Sequence, residues 1–161
     1  MNENWLPHGK KAAVCFSIDD VHPAKSTDHY EAGGDLDKGA LGLVHWLLKR
    51  HPKFKVTLFI TADWRMISHF PTRKLLSSIP YLRDRVYLTK LLKKGTMRLD
   101  RHAGFVDYLK SLPNTELAVH GLYHCHKGLK PNVEFQNQTT EEFTSLLQEV
   151  KRNLPTAYLR M

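Results

Sequence analysis

Two short segments of the sequence contain side chains that could bind a metal ion. His120 and His124 stand four residues apart in "HGLYH", and Asp19 and Asp20 are adjacent in "FSIDDVHP". Two imidazoles and one carboxylate are a common ligand set for catalytic zinc, with a further position left for water. Taken alone, two histidines at this spacing also suit a solvated surface, and an Asp-Asp pair also suits a turn. Taken together, the two segments predict one divalent metal site.

The elements that would position these side chains alternate along the chain. Nearly continuous apolar runs with β-branched and aromatic members predict buried parallel strands, and apolar residues at helical spacing predict helices. In chain order, the predicted elements are a strand at 12–18, a helix at 40–50, strands at 55–61 and 115–119, a helix at 139–153 and the start of a fourth strand at 156–161. Thr139 and Glu142 have the spacing of a capping box. This order predicts an α/β fold with parallel strands.

The ends of the predicted strands gather polar side chains at one edge of the sheet. Asp19 and Asp20 directly follow the first strand, and His120 directly follows the third. Asp63 and Trp64 come shortly after the second strand. In parallel α/β folds, ligands collect at the carboxyl ends of the strands. Neighbouring side chains diverge there, so two adjacent aspartates do not easily bind one ion. The pattern therefore predicts that one Asp binds the metal and that the other acts as a base.

Most of the positive charge lies in one third of the chain. Residues 63–115 contain 11 Lys and Arg against 4 Asp, in a protein whose net charge is +8. We interpret these charges as the solvated face of a helical insertion between the second and third strands, because they punctuate apolar helical periods in "YLRDRVYLTKLLKK". A polyanion-binding surface is the alternative. No RNA-binding or helix-turn-helix signature supports it, so we do not expect a nucleic-acid partner.

Length and composition limit the class of protein. The chain of 161 residues suffices for a single domain, residues 1–161, with a hydrophobic core, and its 42% apolar and 25% charged residues are ordinary for a globular protein. It contains no apolar run of the roughly 18 residues that a membrane span requires, and its amino terminus lacks the order of a signal peptide. We therefore expect no membrane partner and a cytoplasmic location. Two cysteines do not make a disulfide framework, and Cys15 is predicted to be free and buried.

With these residues in place, the chain resembles the polysaccharide deacetylase (NodB-like, carbohydrate esterase) superfamily, which includes chitin and peptidoglycan N-acetylglucosamine deacetylases. The segment "FSIDDVHP" is similar to the family's first motif, a strand that ends in T-F-D-D-G or a variant. The segment "HGLYH" is similar to the second motif, H-[S/T]-x-x-H. "VTLFITADW" resembles the family's second strand, and "TAYLR" resembles the lead-in to its third motif. The resemblance covers most of the chain in the right order.

The resemblance implies a fold, a cofactor and a reaction. The fold would be an incomplete, distorted (β/α) barrel. Asp20, His120 and His124 would hold a divalent metal, for which Zn²⁺ is the first choice. Asp19 would be the general base, and Arg160 would orient it. The reaction would be hydrolysis of an N-acetyl group, on a carbohydrate or another small molecule, with a metal-bound water as the nucleophile. The bond broken would be a C–N bond other than a peptide bond.

Several positions depart from the family pattern. Gly121 replaces the Ser or Thr of the second motif, and "DDVHP" replaces the usual D-D-G-P. His22 is interpreted as a surface histidine, with a further ligand or a substrate contact as the alternative.

The sequence ends at Met161, before the fourth and fifth motifs of the family, and the fifth motif holds the histidine that serves as general acid. We therefore expect the amino-terminal portion of a deacetylase-like domain, with an enzyme favoured. The alternatives are a non-catalytic module that binds metal or a ligand, and self-association through an open sheet edge.

Overall fold

The computed structural model describes residues 9–26, 32–34, 36, 38–68, 89–124, 134–135 and 138–154 of the chain. These residues form five strands, which are β1 (Ser17–Val21), β2 (Val56–Thr61), β3 (Met66–Ser68), β4 (Thr89–Leu91) and β5 (Thr115–Gly121). They also form three α-helices, which are α1 (Gly39–Arg50), α2 (Ala103–Ser111) and α3 (Thr140–Asn153), and a 3-10 helix at Leu99–Arg101. Helices alternate with the strands of the main sheet, so the fold is α/β.

A three-stranded parallel sheet organises the fold. β2 is its central strand, with β1 on one side and β5 on the other. Both pairings are parallel, so the carboxyl ends of all three strands meet at one edge. β3 and β4 form a separate antiparallel pair. The prediction of an α/β fold with parallel strands is confirmed, whereas the predicted fourth strand, at 156–161, lies outside the described residues.

The hydrophobic core lies against the central strand. Val56, Leu58 and Ile60 alternate along β2 and are buried, because successive side chains of a strand point to opposite faces. α1 and α2 bury side chains at helical spacing, which are Leu41, Val44 and Leu48 in the first helix and Phe105, Val106 and Leu109 in the second. All of these residues belong to one cluster. This packing holds the central strand in place and with it the edge at which the strands end.

α3 begins at the capping box that the sequence predicts. The Glu142 N–H donates to the Thr139 hydroxyl at 3.2 Å, and the Thr139 N–H donates to the Glu142 carboxylate at 3.1 Å. These bonds satisfy donors that the first turn of a helix leaves without partners. The buried residues of the helix, Val150 and Asn153, lie in its last turn. The helix is therefore fixed at its start by its cap and near its end by packing.

The first strand differs from its prediction. The sequence predicts a buried strand over residues 12–18, but β1 begins only at Ser17. Residues 12–16 are exposed, with Val14 at 92%, and Cys15 is a free, exposed thiol. The register with β2 also begins at Ser17, so the apolar residues before it extend past the paired part of the sheet. The prediction that Cys15 is buried is therefore wrong.

Residues 89–91, in the connection between β2 and β5, differ from their prediction. Charged and apolar residues in 81–94 predict a helix, but β4 occupies 89–91 and pairs with β3. In the described part of this connection, only α2 and the 3-10 helix are helical. Thr89–Leu91 is too short for its hydrophobic period to distinguish a strand from a helix, so pairing with β3 decides the outcome for these residues.

None of the described helices is long and apolar enough to cross a membrane. The longest of them, α3, has 14 residues and spans roughly 21 Å at 1.5 Å per residue, which is less than the roughly 30 Å of a hydrocarbon core.

Candidate metal centre

A β-bulge in β1 carries Asp20. Ile18 pairs with Leu58 and Val21 pairs with Ile60, so β1 takes three steps where β2 takes two. The extra residue interrupts the alternation of the two faces, and Asp20 has a left-handed backbone with φ of 59°. Aspartate is one of the few residue types that adopt this conformation fairly often. The sequence predicts that the Asp-Asp pair follows the strand, whereas the structure places it within the bulge.

A second bulge lies in β5, on the other side of the central strand. Ile60 pairs with Val119 and Thr61 pairs with Gly121, so His120 is the extra residue of β5. Because β1 and β5 both flank β2, their backbones are two strand spacings apart, roughly 9–10 Å. Side chains must therefore extend over the end of β2 if the two bulges are to share a ligand.

The side chains of Asp20, His120 and His124 meet over the end of β2. Oδ1 of Asp20 lies 3.1 Å from Nε2 of His120 and 2.9 Å from Nε2 of His124. One donor atom from each residue lies within 4.8 Å of the others, so the group could hold a metal ion. Oδ1 is buried, and within the described part of the chain no donor forms an aligned hydrogen bond with it. A buried carboxylate oxygen that lacks an aligned hydrogen bond and faces two imidazole nitrogens is suited to binding a cation of the kind that histidine and carboxylate ligands bind.

Stacked aromatic rings support the ligands. Trp64 lies between His22 and His124, with ring centroids 4.2 and 5.0 Å away and planes inclined by 13° and 17°. His120 extends the stack, 5.3 Å from His124. His22 and Trp64 are only 1% and 3% exposed. The interpretation of His22 as a surface histidine is therefore wrong. An imidazole covers each face of the Trp64 ring, so this residue supports the ring of His124.

Asp63 is separate from the ligand group. Its Oδ2 accepts a hydrogen bond from the Gly95 N–H at 2.7 Å, and its backbone forms an isolated bridge with Arg98. Its own N–H donates to the Leu122 carbonyl at 2.7 Å. The sequence places Asp63 with the other polar residues at the sheet edge, but the structure gives it the role of joining the end of β2 to two other segments.

Glu134 holds the turn that carries His124. Its carboxylate accepts hydrogen bonds from three successive N–H groups, those of Leu122 at 3.0 Å, Tyr123 at 2.7 Å and His124 at 3.3 Å. A Cβ atom on Gly121 would lie 2.6 Å from Oε2 of this carboxylate. The glycine that departs from the second family motif therefore leaves room for an acidic side chain that stabilises the same turn.

Glu134 could not be identified as a site residue from the sequence. The residue lies outside every predicted element and belongs to no motif. The available signal is Gly121, because a glycine in place of a hydroxyl residue indicates that another group approaches the backbone closely. That signal indicates a close neighbour without saying which residue it is.

The two residues predicted to act as base and as its orienting partner have different outcomes. Asp19 is exposed and Asp20 is half-buried, and the role of Asp19 as a base stays a prediction. Arg160 lies outside the described residues.

The charges of the site shift two pKa values. Contact with Asp20 raises the pKa of His120 against the opposing effect of burial, and the charges of Asp19 and Glu134 add to the rise. Burial raises the pKa of Asp20, but contacts with His120 and His124 lower it by more, so this pKa lies well below the usual range. Asp20 is consequently an anion at neutral pH.

These two shifts predict how the stability of the metal-free protein depends on pH. The lowered pKa of Asp20 stabilises the fold above about pH 3.9, and this contribution is lost as the pH falls through the folded-state pKa. The raised pKa of His120 stabilises the fold below about pH 6.5, and this contribution is lost as the pH rises through its folded-state pKa. We therefore expect the unfolding free energy of the wild type to be higher than that of Asp20→Asn. The difference should be largest between about pH 4 and 6.5.

Urea unfolding of both proteins from pH 3 to 9, with a chelator present, checks this prediction. The expected maximum difference is only about 1 kcal/mol, because the Asp20 side chain is 41% exposed and solvent screens the contact. A difference that is constant over the whole range would contradict the pairing of Asp20 with the histidines.

A recess of about 480 Å³ lies at the opposite, amino edge of the sheet. Cys15, Lys55 and Asn114 are among the residues that line it. None of the predicted site residues that the structure describes lines this recess, so it is separate from the candidate metal centre.

Comparisons of the chain with protein-family models, with curated proteins and with solved structures each gave no significant match. The resemblance to polysaccharide deacetylases therefore stays a prediction, and the chemistry of the site is the basis for proposing a function.

Proposed function

We propose that the protein is a metal-dependent hydrolase of the polysaccharide deacetylase type, which removes an N-acetyl group from a carbohydrate-like substrate. The convergence of Asp20, His120 and His124 at the carboxyl edge of a parallel sheet is the observation that carries the proposal. Parallel α/β folds bind their ligands at this edge. The three parallel strands would then belong to a (β/α) barrel.

Zn²⁺ is the proposed cofactor, because two imidazole nitrogens and one carboxylate oxygen are a donor set that it favours. When bound, it would polarise a carbonyl group and make water more acidic. The protein's part is to present Oδ1 of Asp20 and Nε2 of both histidines from two strand bulges and one turn. Stacking on Trp64 and burial hold the His124 ring in place.

Asp19 is the proposed general base. Its position beside Asp20 brings a second carboxylate to the site, and its exposure leaves that carboxylate accessible to water and substrate. Its backbone lies in the same bulge as that of Asp20, which brings it near the ligand group. A carboxylate that does not bind the ion can accept the proton of the attacking water on a side-chain oxygen.

Acetate release from N-acetylglucosamine oligomers by the Zn²⁺-loaded chain tests this function. We expect turnover in the wild type, and we expect Asp19→Asn to lower kcat by about 100- to 10,000-fold with its Zn²⁺ content unchanged, because the base is lost and the ligands remain. The matched control is Asp107→Asn, which changes an exposed carboxylate of α2 and should keep wild-type activity.

Two results would count against the proposal in different ways. Stoichiometric Zn²⁺ with no acetate release from any N-acetylated sugar would contradict the hydrolase and favour a module that binds metal or ligand without turnover. Turnover that survives Asp19→Asn would leave the hydrolase intact and contradict the role of Asp19.

A further inference from the structure

We propose that Glu134 is a positioning residue of the metal centre, which directs the His124 imidazole by binding the backbone N–H groups that lead into it. The inference deepens the proposed function and rests on it in one respect, that Asp20, His120 and His124 hold a metal ion. Glu134 itself is not one of the proposed ligands.

Three hydrogen bonds fix the backbone of the turn. Oε2 of Glu134 accepts from Leu122 and His124 at 3.0 and 3.3 Å, and Oε1 accepts from Tyr123 at 2.7 Å. Successive N–H groups that face one anion form a nest, and bonds to a charged acceptor are stronger than neutral ones. His124 has a left-handed φ of 52°, which histidine, like aspartate, adopts more often than most residues but which is still held by its surroundings. The carboxylate provides that enforcement.

The direction of the His124 ring depends on this backbone. A metal-binding histidine is usually oriented by a hydrogen bond at its second ring nitrogen. Nδ1 of His124 is buried and has no hydrogen-bond partner within the described part of the chain. Its ring is therefore oriented by the backbone conformation that Glu134 enforces and by the face of Trp64, 5.0 Å away.

The Glu134 carboxylate lies close to Gly121, where no Cβ atom occupies the space. A Cβ atom at this position would lie 2.6 Å from Oε2 and 3.6 Å from Cε2 of Phe135, so only the carboxylate would be displaced. Gly121 has no left-handed φ, so alanine suits its backbone. Gly121→Ala therefore displaces the Glu134 carboxylate without removing it. Gly121→Ala and Glu134→Ala should both affect metal binding through the contact between this carboxylate and the backbone of the turn.

The first test measures Zn²⁺ affinity and the visible spectrum of the Co²⁺-substituted protein. We expect Glu134→Ala to weaken Zn²⁺ binding about 10- to 100-fold and to change the Co²⁺ absorption bands, with Glu134→Gln intermediate because it keeps one acceptor oxygen. Asp107→Asn is the control and should match the wild type in both. The Co²⁺ spectrum reports the arrangement of the ligands, which a residue that only stabilises the fold would leave unchanged.

The second test is a double-mutant cycle. We expect Gly121→Ala to weaken Zn²⁺ binding when Glu134 is present and to have little further effect in the Glu134→Ala background, because the displaced contact is already gone. The cycle also serves if Glu134→Ala does not fold, since Gly121→Ala can then be measured against Glu134→Gln.

The outcomes separate this inference from the function on which it rests. A wild type that binds no stoichiometric metal would overturn the proposed function and the inference with it. A wild type that binds Zn²⁺, together with a folded Glu134→Ala of unchanged affinity and Co²⁺ spectrum, would overturn only the role of Glu134. Equal effects of Gly121→Ala in both backgrounds would also overturn it.

Discussion

Replacement of both His120 and His124 with alanine is expected to abolish stoichiometric metal binding. The wild type should contain about one Zn²⁺ per chain after exposure to the ion. The double variant keeps only Oδ1 of Asp20 from the three converging atoms, so its affinity should fall by about a thousandfold or more, which is about 4 kcal/mol. Elemental mass spectrometry of the two purified proteins, and competition with a chelating indicator, measure the change.

The matched control for this experiment is His51→Ala. His51 is exposed at the end of α1 and does not belong to the ligand group, so its replacement should leave metal content unchanged. Equal metal content in the wild type and the double variant would contradict the site, as would a wild type without metal.

Trp64→Ala is expected to lower the unfolding free energy of the metal-free protein by about 3–5 kcal/mol, the usual range when a buried tryptophan is truncated. Trp64 is 3% exposed and has an imidazole on each face, so alanine leaves a cavity and removes the support of His124. We also expect weaker Zn²⁺ binding by the folded fraction, because the ligand ring loses its neighbour. Urea unfolding with a chelator measures the first effect, and titration with Zn²⁺ measures the second.

Trp46→Ala is the internal comparison, since it removes the same side chain from an exposed position. Trp46 is 52% exposed on α1, and its ring contacts the Arg50 guanidinium at 4.6 Å from the centroid. The loss should be about 1 kcal/mol or less, because an exposed cation–π contact contributes little. Similar losses in the two variants would contradict the assignment of Trp64 to the buried stack.

The secondary structure could be predicted where one signal dominates. α1 and α3 have apolar residues at helical spacing, and α3 also has a capping box, so both helices are recognisable locally. β1 could not be placed in this way. An apolar run such as residues 12–18 fits several registers, and only pairing with β2 decides that the strand begins at Ser17.

Some residues of the candidate site could be predicted from the sequence, and others could not. The residue types and their places near strand ends predict Asp20, His120 and His124 as a group, because parallel strands bring their carboxyl ends together. The burial of His22 is a different matter, since histidine suits a surface or a core equally well and only the stack on Trp64 decides between them.

The sequence by itself determined which residue types could bind a metal and that an α/β fold would bring them to one sheet edge, because periodicity and chain order are local properties. Only the tertiary structure decided that bulges in β1 and β5 carry Asp20 and His120 over the end of β2, and that Glu134 binds the turn before His124. A bulge depends on the register between two strands, and a hydrogen bond to a distant carboxylate depends on where the chain returns. Neither is encoded in the spacing of nearby residues.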